Sequence, residues 1–325
     1  VDKALISETV MKPLADHGKN WKSPQQAFKE LSGSLLPNVG VRVTRTLQNL
    51  LEDVSRGGCA ILIDGVAEGL SVVVPGWVQR NPGQPDTEPI IRGPKEGFVE
   101  CLRTNTTLVR RRIRDPRLRI EEYELGRISW TKVAVLYIEG LVNEEVLEEL
   151  RSRINRIDVD GIGESGHIEE LIEDAPFSPF PTIFRTERPD RVTGGLLEGR
   201  IAILTDGTPF ALILPATFTM FFTTSEDYYE RFWIGTVLRL LRFASFFISL
   251  VLPGFYVALL TFHQEMMPTP LILSIAAQRE GVPFPVVVET FVMEATFELL
   301  REAGTRMPRL VGPAISIIGA LVLGD

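Results

Sequence analysis

The chain of 325 residues carries a formal net charge of −8 at pH 7, with 45% hydrophobic and 23% charged residues. This acidic balance argues against nucleic-acid binding as the main activity. The two cysteines, Cys59 and Cys101, lack the spacing of a zinc cluster or a disulfide framework, which fits a reducing compartment. The length predicts two or three domains, because a single hydrophobic core rarely extends over so long a chain.

One pattern, a helix followed by a buried strand, an Asp-Gly turn and a second strand, occurs twice. Residues 44–65 read TRTLQNLLEDVSRGGCAILIDG, and residues 188–207 read RPDRVTGGLLEGRIAILTDG. A further apolar run follows each copy, LSVVVPGW after the first and FALILPAT after the second. Asp-Gly between apolar runs is a strong hairpin signal, because glycine accepts positive φ without steric cost. The repeat predicts two related α/β subdomains.

The segment between the two copies predicts a connector followed by helices and a strand. Residues 75–97 are rich in proline and glycine, which is typical of a long connector. A strand is predicted at residues 133–138, followed by a helix that Asn143 caps. The apolar positions at helical spacing, which we expect in the core, are Phe98, Leu102, Val109, Ile113, Leu147, Leu150, Ile154 and Ile157.

An arginine-rich run, RRRIRDPRLR at residues 110–119, is the most basic stretch of the chain. Arg110, Arg111 and Arg112 are candidates for contact with anionic lipid or a partner subunit. Glutamates follow directly, and no aromatic residues are interleaved for base stacking, so RNA binding is not favoured. The pattern favours a solvated or ion-paired face over the lipid or partner contact.

Two other motifs resemble cofactor or metal sites in spacing only. GIGESG, residues 161–166, has the spacing of a dinucleotide-binding turn, but the residues before it alternate with charge, unlike a buried parallel strand. We therefore expect a loop and then a helix capped near Ser165. HQE, residues 263–265, lacks the second histidine of a zinc-binding helix. We expect no cofactor, no metal and no enzymatic activity.

Residues 226–265, EDYYERFWIGTVLRLLRFASFFISLVLPGFYVALLTFHQE, contain a run without charge from Phe243 to Phe262. Twenty such residues rise about 30 Å as a helix, the thickness of a bilayer's hydrocarbon core. The run predicts a membrane span at about residues 243–262, with Arg239 and Arg242 as its flanking basic residues. A buried helix of a soluble core is the less favoured alternative.

The capping-box pattern of Thr224 and Asp227 predicts that this helix begins near Ser225, outside the membrane. The arginines before the span favour a cytosolic N-terminal part by the positive-inside bias. Further arginines precede the apolar run that starts at residue 310, and they argue against a single crossing between the two runs. The topology therefore stays open at this point.

Three glutamates follow the span. Residues 268–300 predict a re-entrant or interfacial segment that bears Glu289, Glu294 and Glu298. These carboxylates are candidates to lie beside a water-filled path for cations, although the wet face of an interfacial helix is the favoured interpretation. On a helix Glu294 and Glu298 share a face, whereas Glu289 does not. Residues 310–325 predict the start of a second span, cut within the membrane domain.

Several long stretches carry a family resemblance. They include LIEDAPFSPFPTIFRTERPD, LLEGRIAILTDGTPFALILPATF, SEDYYERFWIG and FHQEMMPTPLILSIAAQREGVPFPVVVETFVMEATFELLREAG. With them the sequence closely resembles the A subunit family of spore germinant receptors, the GerA family, from about Leu31 onward. The resemblance implies a multi-pass protein of the spore inner membrane with its N-terminal domain in the cytosol of the spore core.

The resemblance also implies partners and a role. A transporter-like B subunit and a lipoprotein C subunit would act beside this chain, which would assemble as a homo-oligomer around an ion-conducting path in contact with membrane lipid. Together they would couple nutrient sensing to ion release in spore germination. A membrane-tethered module that binds a small molecule between its two subdomains is the alternative. A sporulation paralogue that modulates ion or dipicolinate movement is another.

The expected organisation is an α/β fold with two related subdomains in a cytosolic module, followed by an incomplete α-helical transmembrane domain. The predicted parts are an N-terminal extension at 1–30, subdomain 1 with its connector at 31–130, subdomain 2 at 131–224 and the membrane domain at 225–325.

Overall fold

The computed structural model describes residues 7–17, 21, 23–33, 40–55, 58–73, 81–281 and 283–306. The chain divides into two compact units. We call the first the sheet unit; it comprises Val1–Thr87, Glu96–Ile172 and Arg185–Leu212. We call the second the helical unit; it comprises Glu88–Lys95, Glu173–Phe184 and Ile213–Asp325. The boundaries of the four parts expected from the sequence stay a prediction.

The first part of the sheet unit contains a three-stranded antiparallel sheet in the order β1-β3-β2. A π-helical turn at Ser7–Met11 precedes its elements. They are α1 (Lys12–His17), α2 (Pro24–Gly33), β1 (Gly40–Thr44), α3 (Leu47–Ser55), β2 (Cys59–Ile61) and β3 (Gly69–Val73). Leu31 of α2 packs with Leu70 and Val72 of β3 and with Val10, so that helix and sheet share one apolar cluster.

The second sheet has five strands in the order β4-β5-β7-β8-β6. Its elements are α4 (Leu102–Arg112), β4 (Leu118–Leu125), β5 (Thr131–Ile138), α5 (Glu144–Arg156), α6 (Ser165–Ile172), β6 (Phe184–Thr186), α7 (Pro189–Leu197), β7 (Ile201–Thr205) and β8 (Ala211–Leu214). β5 pairs antiparallel with both β4 and β7. The central strands β5 and β7 are almost entirely buried, and α4 and α7 pack against them, which explains their continuous apolar sequences.

Both copies of the sequence repeat fold as a helix, a strand, a turn and a second strand, as predicted. The first copy forms α3, β2 and β3, and the second forms α7, β7 and β8. The turn glycines Gly65 and Gly207 have φ of +82° and +90°, which is why glycine follows aspartate in each copy. The copies contribute to different sheets. Their relationship as two subdomains remains a prediction.

The predicted helices between the copies are present. Asn143 caps α5 by accepting a hydrogen bond from the Glu145 amide at 3.0 Å, as its residue type predicts. The helix that was predicted to be capped near Ser165 begins there. The carboxylate of Glu164 accepts from the Gly166 amide at 2.8 Å, and Ser165 is the first residue of α6.

The last segment of the helical unit, from Ile213 onward, contains two short 3₁₀ turns, Phe218–Phe222 and Ser225–Tyr228, followed by three helices. These are α8 (Phe232–Thr261), α9 (Thr269–Arg279) and α10 (Val286–Arg306), and α10 contacts α8. A short 3₁₀ turn at Gln264–Met266 lies between α8 and α9. α8 is continuous through Pro253. Among the described residues, α8 alone is long and apolar enough to cross a membrane, judged by length and composition.

The prediction that this helix begins near Ser225 is wrong. The capping box of Thr224 and Asp227 is present, but it closes only a 3₁₀ turn, and α8 begins at Phe232. In one continuous helix Asp227 and Arg242 would lie about 22 Å apart, at 1.5 Å per residue. The break lets their side chains meet. The second apolar run, residues 310–324, lies outside the described residues.

Candidate functional site at the start of the apolar helix

A buried carboxylate binds two arginines at the start of α8. The Asp227 side chain has no exposed surface. Nη1 of Arg242 donates to its Oδ2 at 2.8 Å, and Nη2 donates to Oδ1, so the pair is bidentate. Nε of Arg239 lies 3.5 Å from the same Oδ2. Arg239 and Arg242 are three residues apart on the helix, which places both on the face that meets Asp227.

Asp227 and Arg242 also form hydrogen bonds with the chain segment just before the 3₁₀ turn. Oδ2 of Asp227 accepts from the Thr224 amide at 3.1 Å. Arg242 also donates to the carbonyl of Phe222 at 2.5 Å and to the Thr224 hydroxyl at 3.3 Å. Burial raises the pKa of Asp227, but the hydrogen bonds from Arg242 and Thr224 lower it, and the net pKa lies below its ordinary value. Asp227 is therefore ionised at neutral pH.

Close approach of the backbone makes this arrangement possible. Gly235 of α8 faces the 3₁₀ turn so closely that a Cβ atom there would lie 2.6 Å from the carbonyl oxygen of Asp227. Any side chain at this position has to push the turn away from the helix. The guanidinium of Arg239 lies over the ring of Tyr228, 4.9 Å from its centroid, on the same turn.

Glu226, the residue before Asp227, binds the connector instead of α8. Glu226 accepts hydrogen bonds from the amides of Ile91 and Arg92, the latter at 3.3 Å. Gly93 follows with φ of +133°, and a Cβ atom there would lie 2.8 Å from the ring of Tyr229. Segment Glu88–Lys95, at the end of the proline-rich connector, is thus held against the same 3₁₀ turn. We call Asp227, Arg239, Arg242 and Glu226 with their partners the junction.

An aromatic cluster continues the junction along α8. Phe222 stacks on Phe243 with ring centroids 4.8 Å apart and meets Phe246 edge to face at 5.0 Å. Phe218 lies 6.0 Å from Phe246. Phe243 and Phe246 are the first aromatic residues of the charge-free run. The apolar part of α8 therefore begins where the buried charges end.

The arginines expected to flank the span, Arg239 and Arg242, thus belong to one site. The sequence did not indicate their partner, because Asp227 was predicted in the first turn of a continuous helix.

The arginine-rich run at residues 110–119 lies in the sheet unit and forms ion pairs there. Arg111 and Arg112 both pair with Glu96, Arg112 at 3.0 Å, and Arg110 is exposed. Lipid or partner contact by these three arginines stays a prediction.

The three candidate carboxylates lie on α10, and the junction does not include them. Glu289 pairs with Arg279 of α9 at 2.7 Å. Glu298 pairs with Arg301, one turn further along α10. Within the part of the chain that the structure describes, Glu294 forms no ion pair, and it is exposed. The same described residues contain no group of three or more His, Cys, Asp or Glu that could hold a metal ion.

A groove of about 680 Å³ is a second candidate site, within the sheet unit. One wall is α3, and the other is the loop between β4 and β5. The apolar side chains Leu47 and Leu51 face Ile128 and Trp130 across it, and all four are exposed. The complete lining is Leu47, Gln48, Leu51, Ser55, Ile128, Ser129 and Trp130.

Comparison with known proteins identifies relatives of the whole chain. A family profile described as Bacillus/Clostridium GerA spore germination protein matches residues 1–325. Spore germination protein KA of Bacillus subtilis is 48% identical over 100% of this chain and 59% of its own length. Spore germination protein B1 of the same organism is 46% identical over 87% of this chain and 59% of its own length. The chain thus spans about three-fifths of these relatives.

One solved structure is also similar in sequence. The N-terminal domain of the A subunit of the Bacillus megaterium spore germinant receptor GerK3 is 53% identical. The match covers 38% of this chain and 97% of that one, with a TM-score of 0.31.

The described residues define an α/β protein that continues into a helical unit with one helix of membrane-spanning length. The chain belongs to the GerA family of spore germination proteins. The resemblance inferred from its sequence is confirmed.

Proposed function

We propose that this chain is part of the A subunit of a spore germinant receptor and acts in spore germination. The observation that carries the proposal is the family match over residues 1–325, with relatives that are named spore germination proteins. In this role the subunit couples the sensing of nutrients to the release of ions. It has no catalytic step of its own.

The length and composition of α8 support a membrane-inserted helix in this role. The charge-free run is long enough for the hydrocarbon core, and its side chains are largely exposed in the structure. The junction arginines lie at the N-terminal end of this run, which favours a cytosolic position for the preceding residues by the positive-inside bias. We propose that the α/β part lies in the cytosol of the spore core and that the full-length protein spans the inner membrane several times.

Partners complete the proposal. A transporter-like B subunit and a lipoprotein C subunit act beside the A subunit. Several A subunits assemble around a path for cations, with the α/β part as the scaffold of the oligomer. In this arrangement Glu294, which forms no ion pair among the described residues, is the best-placed candidate beside the path, because Glu289 and Glu298 each have an arginine partner.

Potassium efflux from spores that lack the gene for the full-length protein tests this role. The spores are challenged with separate amino acids and sugars, and efflux is followed with an ion-selective electrode. Loss of efflux for one nutrient class, with the others intact, supports a nutrient-specific receptor subunit. Efflux that begins normally for every nutrient but proceeds slowly contradicts it and favours an accessory paralogue that modulates ion or dipicolinate movement.

The groove between α3 and the β4–β5 loop supports a second candidate function, binding of a small molecule by the α/β part. Apolar walls with a few polar groups are typical of such sites, and the volume suits a small ligand. Calorimetric titration of the full-length protein in nanodiscs with single nutrients tests this function. Saturable heat that a Leu51→Arg variant lacks supports it, whereas no saturable heat for any nutrient contradicts it.

A further inference from the structure

A proline-rich loop of the helical unit exposes two phenylalanines without burying either. Residues 175–181 read APFSPFP. The Phe177 side chain is fully exposed, and that of Phe180 is 63% exposed. Water is an unfavourable environment for apolar rings, so a soluble surface seldom presents two of them on one short loop.

The loop is nevertheless held in a defined shape. The Ser178 amide donates to the carbonyl of Ala175 at 2.8 Å, and the Phe180 amide donates to the Ser178 hydroxyl at 3.1 Å. Further along, the Ala216 amide donates to the carbonyl of Thr182 at 2.7 Å. Three prolines restrict the backbone between these contacts. The rings are therefore presented outward by an ordered turn.

The exposed rings are continuous with the apolar part of α8. The ring centroids of Phe180 and Phe218 lie 6.1 Å apart, and those of Phe218 and Phe246 lie 6.0 Å apart. Both pairs meet edge to face. Phe218 is itself 47% exposed. Phe246 is one turn inside the charge-free run that begins at Phe243. A chain of ring contacts thus links the loop to the point where α8 becomes wholly apolar.

We propose that Phe177 and Phe180 insert into the interfacial layer of the lipid bilayer beside α8. Aromatic side chains are enriched at this depth, where the ring is partly removed from water. We assign lipid as the binding partner of the two rings because they continue the apolar surface of a helix of membrane-spanning length. The inference rests on the proposed membrane insertion of α8. It adds a second attachment, which fixes the depth and the rotation of the helix.

Site-specific fluorescence in vesicles tests the proposal. In the full-length protein Cys59, Cys101 and any cysteine outside residues 1–325 are replaced by serine. A single cysteine is then introduced in one of three variants, Phe177→Cys, Ile91→Cys or Leu250→Cys. Each is labelled with nitrobenzoxadiazole and reconstituted with lipids that carry a spin-label quencher near the headgroup or deep in the acyl chain. Ile91 is the matched control, because it is 94% exposed in the same unit and lies outside the loop. Leu250 lies within the charge-free run and reports on insertion of α8.

We expect the headgroup quencher to remove roughly half of the emission at position 177, more than the deep quencher does, and to leave position 91 unaffected. Quenching at position 250 without quenching at position 177 overturns the inference but leaves the insertion of α8 intact. A blue-shifted but unquenched emission at position 177 also overturns it, in favour of a protein partner. Absence of quenching at position 250 overturns both the inference and the proposed insertion.

Discussion

Asp227 and Arg242, fifteen residues apart in the chain, form a bidentate ion pair in which the carboxylate is fully buried. A buried pair of this kind is weak evidence for added stability, because removing both charges from water costs free energy. Such a pair instead favours one conformation of the chain over the alternatives. Loss of Asp227 removes the carboxylate that Arg239 and Arg242 share, and loss of Arg242 leaves only Arg239 beside the buried carboxylate. The pair therefore selects the arrangement in which the 3₁₀ turn rests on α8.

The first prediction concerns the charge of Asp227. Asp227→Asn keeps an oxygen that accepts from the Thr224 amide but leaves Arg239 and Arg242 without a counter-charge. We expect the local free energy of opening at the junction to fall by about 1–3 kcal/mol, less than for a fully buried pair because both arginines are about one-third exposed. Hydrogen exchange of residues 224–242 in nanodiscs measures it. Unchanged exchange contradicts the prediction, and Glu265→Gln, at an exposed position of the same unit, is the control.

The second prediction separates two glycines of α8. Gly235→Ala places a Cβ atom 2.6 Å from a backbone oxygen of the 3₁₀ turn, whereas nothing lies within 4 Å of a Cβ atom at Gly254. We expect Gly235→Ala to loosen the turn and to speed tryptic cleavage after Arg231. Gly254→Ala should leave cleavage unchanged, because alanine favours the helix by up to about 1 kcal/mol. Equal cleavage rates for the two variants contradict the close approach.

The third prediction concerns the hydrogen bonds between Glu226 and the connector. Glu226 accepts from the amides of Ile91 and Arg92, and a glutamine oxygen can accept the same bonds. We expect Glu226→Ala to raise the exchange rate of these two amides about fivefold, for a loss of about 1 kcal/mol, and Glu226→Gln to change it little. Equal effects of the two substitutions contradict the contact.

Local signals and long-range contacts explain which features the sequence could predict. The hairpins at Gly65 and Gly207 and the cap at Asn143 follow from short patterns, because each is stabilised by neighbours in the chain. The junction depends instead on a break between Tyr229 and Arg231, which carries no glycine or proline to mark it. The position of Arg242 beside the apolar run was therefore predictable, but its partner was not.

The fourth prediction is a pH dependence in the sheet unit. Hydrogen bonds from Arg151, which have the largest effect, and from Tyr137 and Tyr123 together lower the pKa of Glu121 to about 2, against the opposing effect of its partial burial. A depressed pKa stabilises the fold above the ordinary value of 4.5, and this contribution is lost as the pH falls toward 2. The melting temperature of the full-length protein should therefore fall less steeply between pH 5 and pH 2.5 in a Glu121→Gln variant. Parallel curves for the two proteins contradict the assignment.

The last prediction ranks the carboxylates of α10 by their partners. Glu294 is exposed and forms no ion pair with the described residues, so its charge is available to attract cations, whereas Arg279 neutralises Glu289. Each glutamate is replaced by glutamine in the full-length protein, and nutrient-triggered potassium efflux from spores is measured at matched protein levels. We expect Glu294→Gln to slow efflux severalfold, since a carboxylate beside a narrow path raises the local cation concentration. Glu298→Gln, which loses only an exposed pair with Arg301, should behave as the wild type does. Unchanged efflux in both Glu289→Gln and Glu294→Gln means that these carboxylates do not lie beside the ion path, and that α10 presents them to water at the membrane surface instead.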